Sequence, residues 1–402
     1  MPARSLVAGL IFATTVAAQS YPGMITTTNL PAVGSAFDRA GNVYFTGDSD
    51  LGISSTPGAA QTGSGGGRCF FNLSGIRPCP DAVIGKFDSS GRQLWATLIG
   101  GATTDSGSTI FVDSSAAVYA AGNTGGSFPT SARAAITNSV TSKTWAAKVT
   151  ADGRAFLYAT YLPAIFGSVN SIAVDAYGNA HIGVVTTDNR AAIVKLSADG
   201  SLILYLKVFG GPGSGSAPRL AIDGAGNLIV ASTTSSPDFP VTTGVVQSHL
   251  AGFANVALTK LDPAGNIVFS TFFGGSGSDG VSSLQIDSAG SLYISGETTS
   301  LDFPTTPGTF APQALVPTWG DFPGGFLAKL APDATRIEFS TYLFSSSYGG
   351  SQIALGTAGD IFLAGVSGPG LPVRTSAPLP CLSQSVSQVG ANFSPASIRQ
   401  AA

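Results

Sequence analysis

The sequence predicts an all-β protein, a β-propeller of four-stranded antiparallel blades, with six blades and five or seven as the alternatives. Three observations lead there. A twelve-residue segment recurs six times along 402 residues, a second unit follows five of the six copies, and the composition is rich in turn formers, with 52 glycines and 24 prolines. At 44% hydrophobic and 10% charged residues, the chain has enough apolar material for a large core. So many glycines and prolines favour short strands and turns over long helices.

The first unit reads "AFDRAGNVYFTG" from Ala36, "FVDSSAAVYAAG" from Phe111, "AVDAYGNAHIGV" from Ala173, "AIDGAGNLIVAS" from Ala221, "QIDSAGSLYISG" from Gln285 and "ALGTAGDIFLAG" from Ala354. The second reads "AVIGKFDSSGRQLWATLIGG", "WAAKVTADGRAFLYATYLPA", "AIVKLSADGSLILYLKVFGG", "ALTKLDPAGNIVFSTFFGG" and "FLAKLAPDATRIEFSTYLFSS". Each unit is two short β-branched and aromatic runs around a tight turn of Asp, Gly and Asn or Ser. That is the signature of a β-hairpin whose turn needs a residue at positive φ. Two hairpins give four strands. A four-stranded sheet that is apolar on both faces, repeated at roughly 60 residues, buries those faces by stacking radially against its copies. A β-solenoid needs far shorter repeats, and a sandwich does not repeat its sequence.

The ends of the chain set the blade count. Five repeats are complete, while the sixth has its first hairpin, through Val366, and then a Pro-rich tail without a clear second one. At the other end, "TTTNLPAVGSAFD" from Thr26 parallels "YATYLPAIFGSVNSIAVD" from Tyr158, whose first part is the outermost strand of a blade. An N-terminal strand is therefore expected to close the last blade. On this reading residues 1–18 are a leader, 19–377 the propeller, and 378–402 a tail, truncated or completing the last blade.

The run D-x-x-G-N-x-Y-x-x-G-x-T, then S-x-D-F-P-T-T, then A-x-x-K-L-x-x-x-G, then S-T-Y-x-G-G resembles the bacterial seven-bladed beta-propeller (SBBP) repeat family. The resemblance covers nearly all of the chain after the leader and is most faithful from Ala221 to Ser345. It implies an exported or envelope-associated bacterial protein, usually with no catalytic residues assigned. The third repeat departs from the pattern, since "TTDNRAAIVKL" lacks Asp-Phe-Pro.

Export is also legible at the N-terminus. Arg4 precedes an apolar run from Leu6 to Ala18 that ends on small residues, Val16 and Ala18, the layout of a cleavable secretory signal. The run is shorter than the roughly 20 apolar residues of a membrane span, and no later stretch could form one. Cys69 and Cys79 share one Gly-rich loop and are expected to form a disulfide, leaving Cys381 without an obvious mate. The net charge of -3 gives no basic footprint for nucleic acid.

Two sets of charges repeat. Asp38, Asp113, Asp175, Asp223 and Asp287 end the first strand of five repeats, where a short acid accepts turn N–H groups. Lys86, Lys148, Lys195, Lys260 and Lys329 recur in the third strand, near the same rim. The expectation is one architectural ion pair per blade; the sixth repeat has Gly356 in the Asp position and no third-strand Lys. His181 takes the slot of Tyr44, Tyr119, Ile229, Tyr293 and Phe362, a packing substitution, and His249 has no nucleophile motif near it.

No cofactor is expected. "GGSGSDGVS" from Gly274 fits the calcium-binding nonapeptide, but its equivalents lie a whole blade away, and calcium wants 6 to 8 oxygens from stacked neighbouring copies. Binding is placed on the face with the long loops, because variable loops on a rigid scaffold are where function usually resides. Its candidates are Phe70, Phe71, Asp105, Asp279, Asp302, Trp319, Asp321 and Phe322. The expected activity is a non-enzymatic scaffold for an envelope or extracellular protein or glycan, as a monomer. The competing class is an exported polysaccharide lyase or hydrolase, which predicts that three of Asp105, Asp279, Asp302 and Asp321 fall within hydrogen-bonding reach of one pocket. The repeated Asp-Phe-Pro of "TTSSPDFPVTT" and "TTSLDFPTT" reads as a staple for the long loop: Ser300 and Asp302 on turn amides, Phe303 between blades, and Pro304 at the exit.

Overall fold

The computed structural model describes residues 34–71, 75–211, 215–314, 324–343, 352–356, 361–365, 385–389 and 398–400. The leader, Cys381, Trp319, Asp321 and Phe322 lie outside them. The first blade comprises β1 (Gly34–Phe37), β2 (Val43–Asp48), an excursion of two short strands, β3 (Arg68–Phe71) and β4 (Gly75–Pro78), then β5 (Ala82–Phe87) and β6 (Gln93–Ile99). The second is β7 (Asp105–Val112), β8 (Val118–Thr124), β9 (Thr144–Val149) and β10 (Phe156–Tyr161). The third is β11 (Phe166–Val174), β12 (Ala180–Thr186), β13 (Ala191–Leu196) and β14 (Ile203–Phe209). The fourth is β15 (Arg219–Ile222), β16 (Leu228–Thr234), β17 (Asn255–Leu261) and β18 (Ile267–Phe273). The fifth is β19 (Asp279–Ile286), β20 (Leu292–Thr298), β21 (Gly324–Leu330) and β22 (Ile337–Leu343). The sixth is β23 (Gln352–Leu355), β24 (Ile361–Gly365), β25 (Ser385–Val389) and β26 (Ile398–Gln400). All six are four-stranded sheets, with β3 and β4 a separate two-stranded pair.

The hairpins form for the reason the turns indicate. Asp38 accepts the N–H groups of Ala40 and Asn42, each at 3.0 Å, and Gly41 takes φ 78°, a left-handed conformation that a side chain disfavours. Asp113, Asp175, Asp223 and Asp287 repeat the bonding pattern.

The chain divides into two compact units, one ending at Val208 and the other beginning at Phe209. In the first, β7 packs on β1, β2 and β5, and β11 packs on β7, β8 and β9. In the second, β19 packs on β15, β16 and β17, and β23 packs on β19 and β20. Within each unit the first strand of the following blade thus lies on strands of the one before, the wedge packing of propeller blades. The core sits between blades: Tyr44, Ile84 and Trp95 of the first meet Val118 and Trp145 of the second, and Ile229 and Leu258 of the fourth meet Ile294 and Phe326 of the fifth. A single blade leaves both of these faces wet; stacking covers them.

The tail after residue 377 takes the second of its two expected courses and completes the last blade. Among the described residues the last sheet takes its third and fourth strands, β25 and β26, from the C-terminal segment, paired Ile361↔Val389 and Ser387↔Gln400. Its signal was the alternation in "SVSQV", masked by the prolines on either side. The segment from Thr26 to residue 33 lies outside the described residues.

The long loop after the second strand turns back and clips onto the outer edge of its own blade. In the fifth blade the Thr306 N–H donates to the Ser340 carbonyl and the Ser340 N–H donates to Thr306 Oγ1, both at 2.9 Å. Five residues on, the Ala311 N–H donates to Thr341 Oγ1 at 2.8 Å and the Ala311 carbonyl accepts the Tyr342 N–H at 3.0 Å. The same four bonds join Thr56 and Gln61 to β6, Ser131 and Ile136 to β10, and Thr242 and Gln247 to β18. The third blade has only the short turn from Thr186 to Arg190, and among the described residues nothing runs along β14.

Asp-Phe-Pro anchors the start of this clip. Phe303 is buried, with its ring centroid 4.5 Å from Phe326 of its own blade and 5.2 Å from Phe273 of the blade before. Its N–H donates to the Tyr342 hydroxyl, which donates onward to the Ser300 carbonyl. Truncating such a plug leaves a cavity between two blades, so Phe303→Ala is expected to cost about 3–5 kcal/mol in urea unfolding. Leu301→Ala, 60% exposed two residues away, should stay within about 0.5 kcal/mol of the parent.

Candidate functional site

The repeated charges meet within single blades. Lys86 lies 3.3 Å from Asp38, Lys195 3.1 Å from Asp175, Lys260 2.8 Å from Asp223, and Lys329 3.4 Å from Asp287. In the second blade Lys148 instead sits over the Tyr119 ring, 4.5 Å from its centroid, and Tyr119 bonds Asp113. His181 occupies the tyrosine slot of the third blade, with Nδ1 3.1 Å from the Tyr205 hydroxyl and Nε2 3.5 Å from Asp175. Burial, reinforced by the Lys195 charge, lowers its pKa to about 4, which keeps it neutral. This layer is architectural.

A second layer lies where one blade hands over to the next, and it absorbs two of the candidate binding acids. Asp279 is fully buried. It accepts bonds from the Gly275 N–H at 2.8 Å, the Ser300 hydroxyl at 2.9 Å, the Thr298 hydroxyl, and Asn255 Nδ2 at 3.0 Å. The Asn255 amide also donates to the Ala254 and Gly275 carbonyls, and its oxygen accepts from the Ala251 N–H and Gln247 Nε2. Every oxygen that a calcium ion would need from Asp279 is already held by an N–H or O–H. Among the described residues no three His, Cys, Asp or Glu side chains gather as a metal site.

The junction of the first and second blades repeats the centre of this network, with an acid in place of the amide and no counterpart of the Ser300 hydroxyl. Asp105 replaces Asp279 and accepts the Gly101 N–H at 2.9 Å; Gln61 replaces Gln247. Asp81 replaces Asn255, its Oδ2 accepting the Gly65 N–H at 2.7 Å and Gln61 Nε2 at 3.4 Å. Gly100 stands against both carboxyls just as Gly274 stands against Asn255 and Asp279. In the seat of the donating amide there is now Asp81 Oδ1. Asp81 and Asp105 are fully buried, and the Oδ1 atom of each has no hydrogen-bond partner. The Thr124 hydroxyl lies beside Asp105, where its hydrogen bond opposes the effect of burial, and it also stands 3.2 Å from the Gly126 carbonyl.

Ionising two buried carboxyls that both stand against Gly100 is costly, and a proton on Asp81 Oδ1 would supply the missing donor. Burial raises both groups, taking Asp105 to about 6, with the Asp81 charge adding to the rise. Asp81 was not among the sequence candidates, although the repeat sets it five residues before Lys86, as it sets Asn255 five residues before Lys260.

The remaining candidates lie apart. Asp302 accepts the Ser276 N–H at 2.8 Å and its hydroxyl at 2.9 Å, tying the clip to the loop that enters its own blade. Asp105 belongs to one compact unit, Asp279 and Asp302 to the other. As surface binding groups, Asp105 and Asp279 are corrected by their burial. A cleft of about 660 Å³ between the fourth and fifth blades is lined by Thr242, Lys260, Phe269, Asp333 and Arg336. Its cations are paired, Lys260 with Asp223 and Arg336 with Glu338.

Phe70 stands on the excursion hairpin of β3 and β4, which the Cys69–Cys79 disulfide closes with a Cα–Cα distance of 4.9 Å. Phe70 pairs directly across from Ile76, so both side chains share one face, and they are 72% and 61% exposed. Arg77 on β4 is held by Asp50 at the foot of the hairpin. Phe71 is the last residue of β3.

No family model matches the chain, and no curated protein matches it. Among solved structures it is similar to a polysaccharide lyase at 9% identity and TM-score 0.46, covering 93% of this chain and 81% of that one. It is also similar to a putative 6-phosphogluconolactonase from Bacteroides uniformis at 11% identity and TM-score 0.42, covering 83% and 80%. A chain of a mitotic checkpoint complex gives 10% identity and TM-score 0.45, covering 99% and 88%. Similarity at this level assigns no activity.

The carboxyl pair makes stability depend on pH. Its pKa values are raised in the fold, so its contribution is complete below the unfolded value near 3.8 and is lost as pH climbs through about 6. Asp81→Asn restores the donor and should raise stability at pH 7 to 8 by about 1–3 kcal/mol. It should also flatten the decline between pH ~4 and ~6 seen for the parent in urea unfolding. An identical pH profile for both proteins would count against the shared proton.

Proposed function

We propose that the chain is an exported, non-enzymatic interaction scaffold that engages a protein partner through the disulfide-closed hairpin of β3 and β4. The observation that carries this reading is the Phe70 and Ile76 pair, two large apolar side chains side by side and open to water on a covalently closed element. Leaving such a pair exposed has a cost that a partner removes by covering it, and aromatic anchors on rigid supports are the usual centre of a protein interface. The bridge between β3 and β4 reduces the ordering entropy that a free loop of this length would lose on binding.

Export is supported by the leader-like N-terminus and by a disulfide, which persists in an oxidising compartment. The resemblance to SBBP repeats points the same way. Among the described residues no helix is long and apolar enough to cross a membrane.

The test is quantitative crosslinking of the secreted full chain to envelope and extracellular fractions, with the Phe70→Ser, Ile76→Ser double variant beside it. The expected result is a specific protein adduct that falls at least about tenfold in the double variant while the melting temperature is unchanged, as for a hot-spot pair. Equal capture by both proteins would overturn the reading. So would a glycan-array signal that the double variant retains without any protein adduct.

A further inference from the structure

The third blade is built unlike four of the others, and the difference exposes an edge. Its second and third strands are joined by the turn from Thr186 to Arg190, so it has no clip. Its outer strand has also lost the groups that a clip uses. Where β6, β10, β18 and β22 carry Ala96, Ala159, Ser270 and Ser340, β14 carries Leu206. Where they carry Thr97, Thr160, Thr271 and Thr341, it carries Lys207. In those four strands the N–H and C=O of the small residue point outward to the clip, and the N–H two residues on does the same. By register the outward groups of β14 are those of Leu206 and Val208. Leu202, Leu204 and Leu206 are 60%, 47% and 37% exposed along this strand. Among the described residues Lys207 has no carboxylate in ion-pair range.

We propose that the outer edge of β14 is a docking site for an extended, acid-bearing strand of a partner polypeptide, which adds to the third blade as a fifth strand. The sister blades show what this edge accepts: backbone N–H and C=O groups in register with residues at the 206 and 208 positions. The occupant differs from a clip in the chemistry that β14 has changed. Apolar residues face Leu204 and Leu206, and a carboxylate faces Lys207 in place of the lost hydroxyl bond. Addition to a sheet edge gives affinity through main-chain bonds, while the alternate side chains and the charge set specificity. This site does not depend on the Phe70 hairpin, and its test leaves that hairpin intact.

The probe is a synthetic peptide, acetyl-Thr-Val-Thr-Val-Asp-Val-Thr-Val-Thr-amide, titrated by calorimetry against the full chain beside its counterpart with Lys in place of Asp. The Asp peptide should bind at least about tenfold tighter than the Lys peptide, and Lys207→Glu should reverse that order. Leu206→Pro deletes an outward N–H without touching the ladder to β13 and should abolish binding of both. If that variant does not fold, the charge reversal alone decides. Equal affinity for the two peptides, or no binding of either, overturns the proposal. Concentration-dependent self-association of the parent that blocks peptide binding would assign the edge to a second copy of this chain, and would overturn it too.

Discussion

The outer edge of each blade is the constraint on which the rest of this structure depends. A four-stranded sheet stacked between neighbours has both faces covered, but its last strand still presents a row of unpaired N–H and C=O groups to water and to other chains. Four blades answer this with the same device, a hydroxyl and a backbone group on the returning loop that take the donor and acceptor of a single edge residue. The Asp-Phe-Pro of the fourth and fifth repeats, and the Ser-Phe-Pro of the second, hold the start of that loop. Phe128, Phe239 and Phe303 are each buried beside aromatics of the blade core.

The same economy governs charge. Lysines are tied to turn acids inside four blades, and the acids at the blade junctions accept bonds from amides and hydroxyls. A buried carboxylate surrounded by donors stabilises its surroundings; one that faces another carboxylate does not. Asp81 is the point at which the repeat breaks this rule, and burial raises the pKa of both carboxyls there.

Much of the architecture was legible in sequence because its causes are local. The turn acid, the left-handed glycine and the alternating strands are each set within a dozen residues, and they recur, so the blade boundaries follow from alignment. The site was less legible because its causes are not local. Asp105 and Asp279 look like surface loop acids in sequence, and only the meeting of two blades buries them. The clip was half visible: Phe303 reads as a plug, but the bonds of Thr306 and Ala311 to β22 span about 30 residues and need the folded edge to appear. Strands β25 and β26 were legible only as one of two courses for the tail, because prolines flank a short alternating run. Trp319, Asp321 and Phe322 lie outside the described residues.

Four clipped edges stand against one open edge, and amide hydrogen exchange followed residue by residue in the full chain tests that contrast directly. The amides of Ala96, Leu98, Ala159, Tyr161, Ser270, Phe272, Ser340 and Tyr342 should exchange slowly, because each donates to a clip. Those of Leu206 and Val208 should exchange at least about a hundredfold faster, as outward edge groups open to water do. Protection of Leu206 and Val208 equal to that of their counterparts would mean that the third edge is already covered, and would contradict the account.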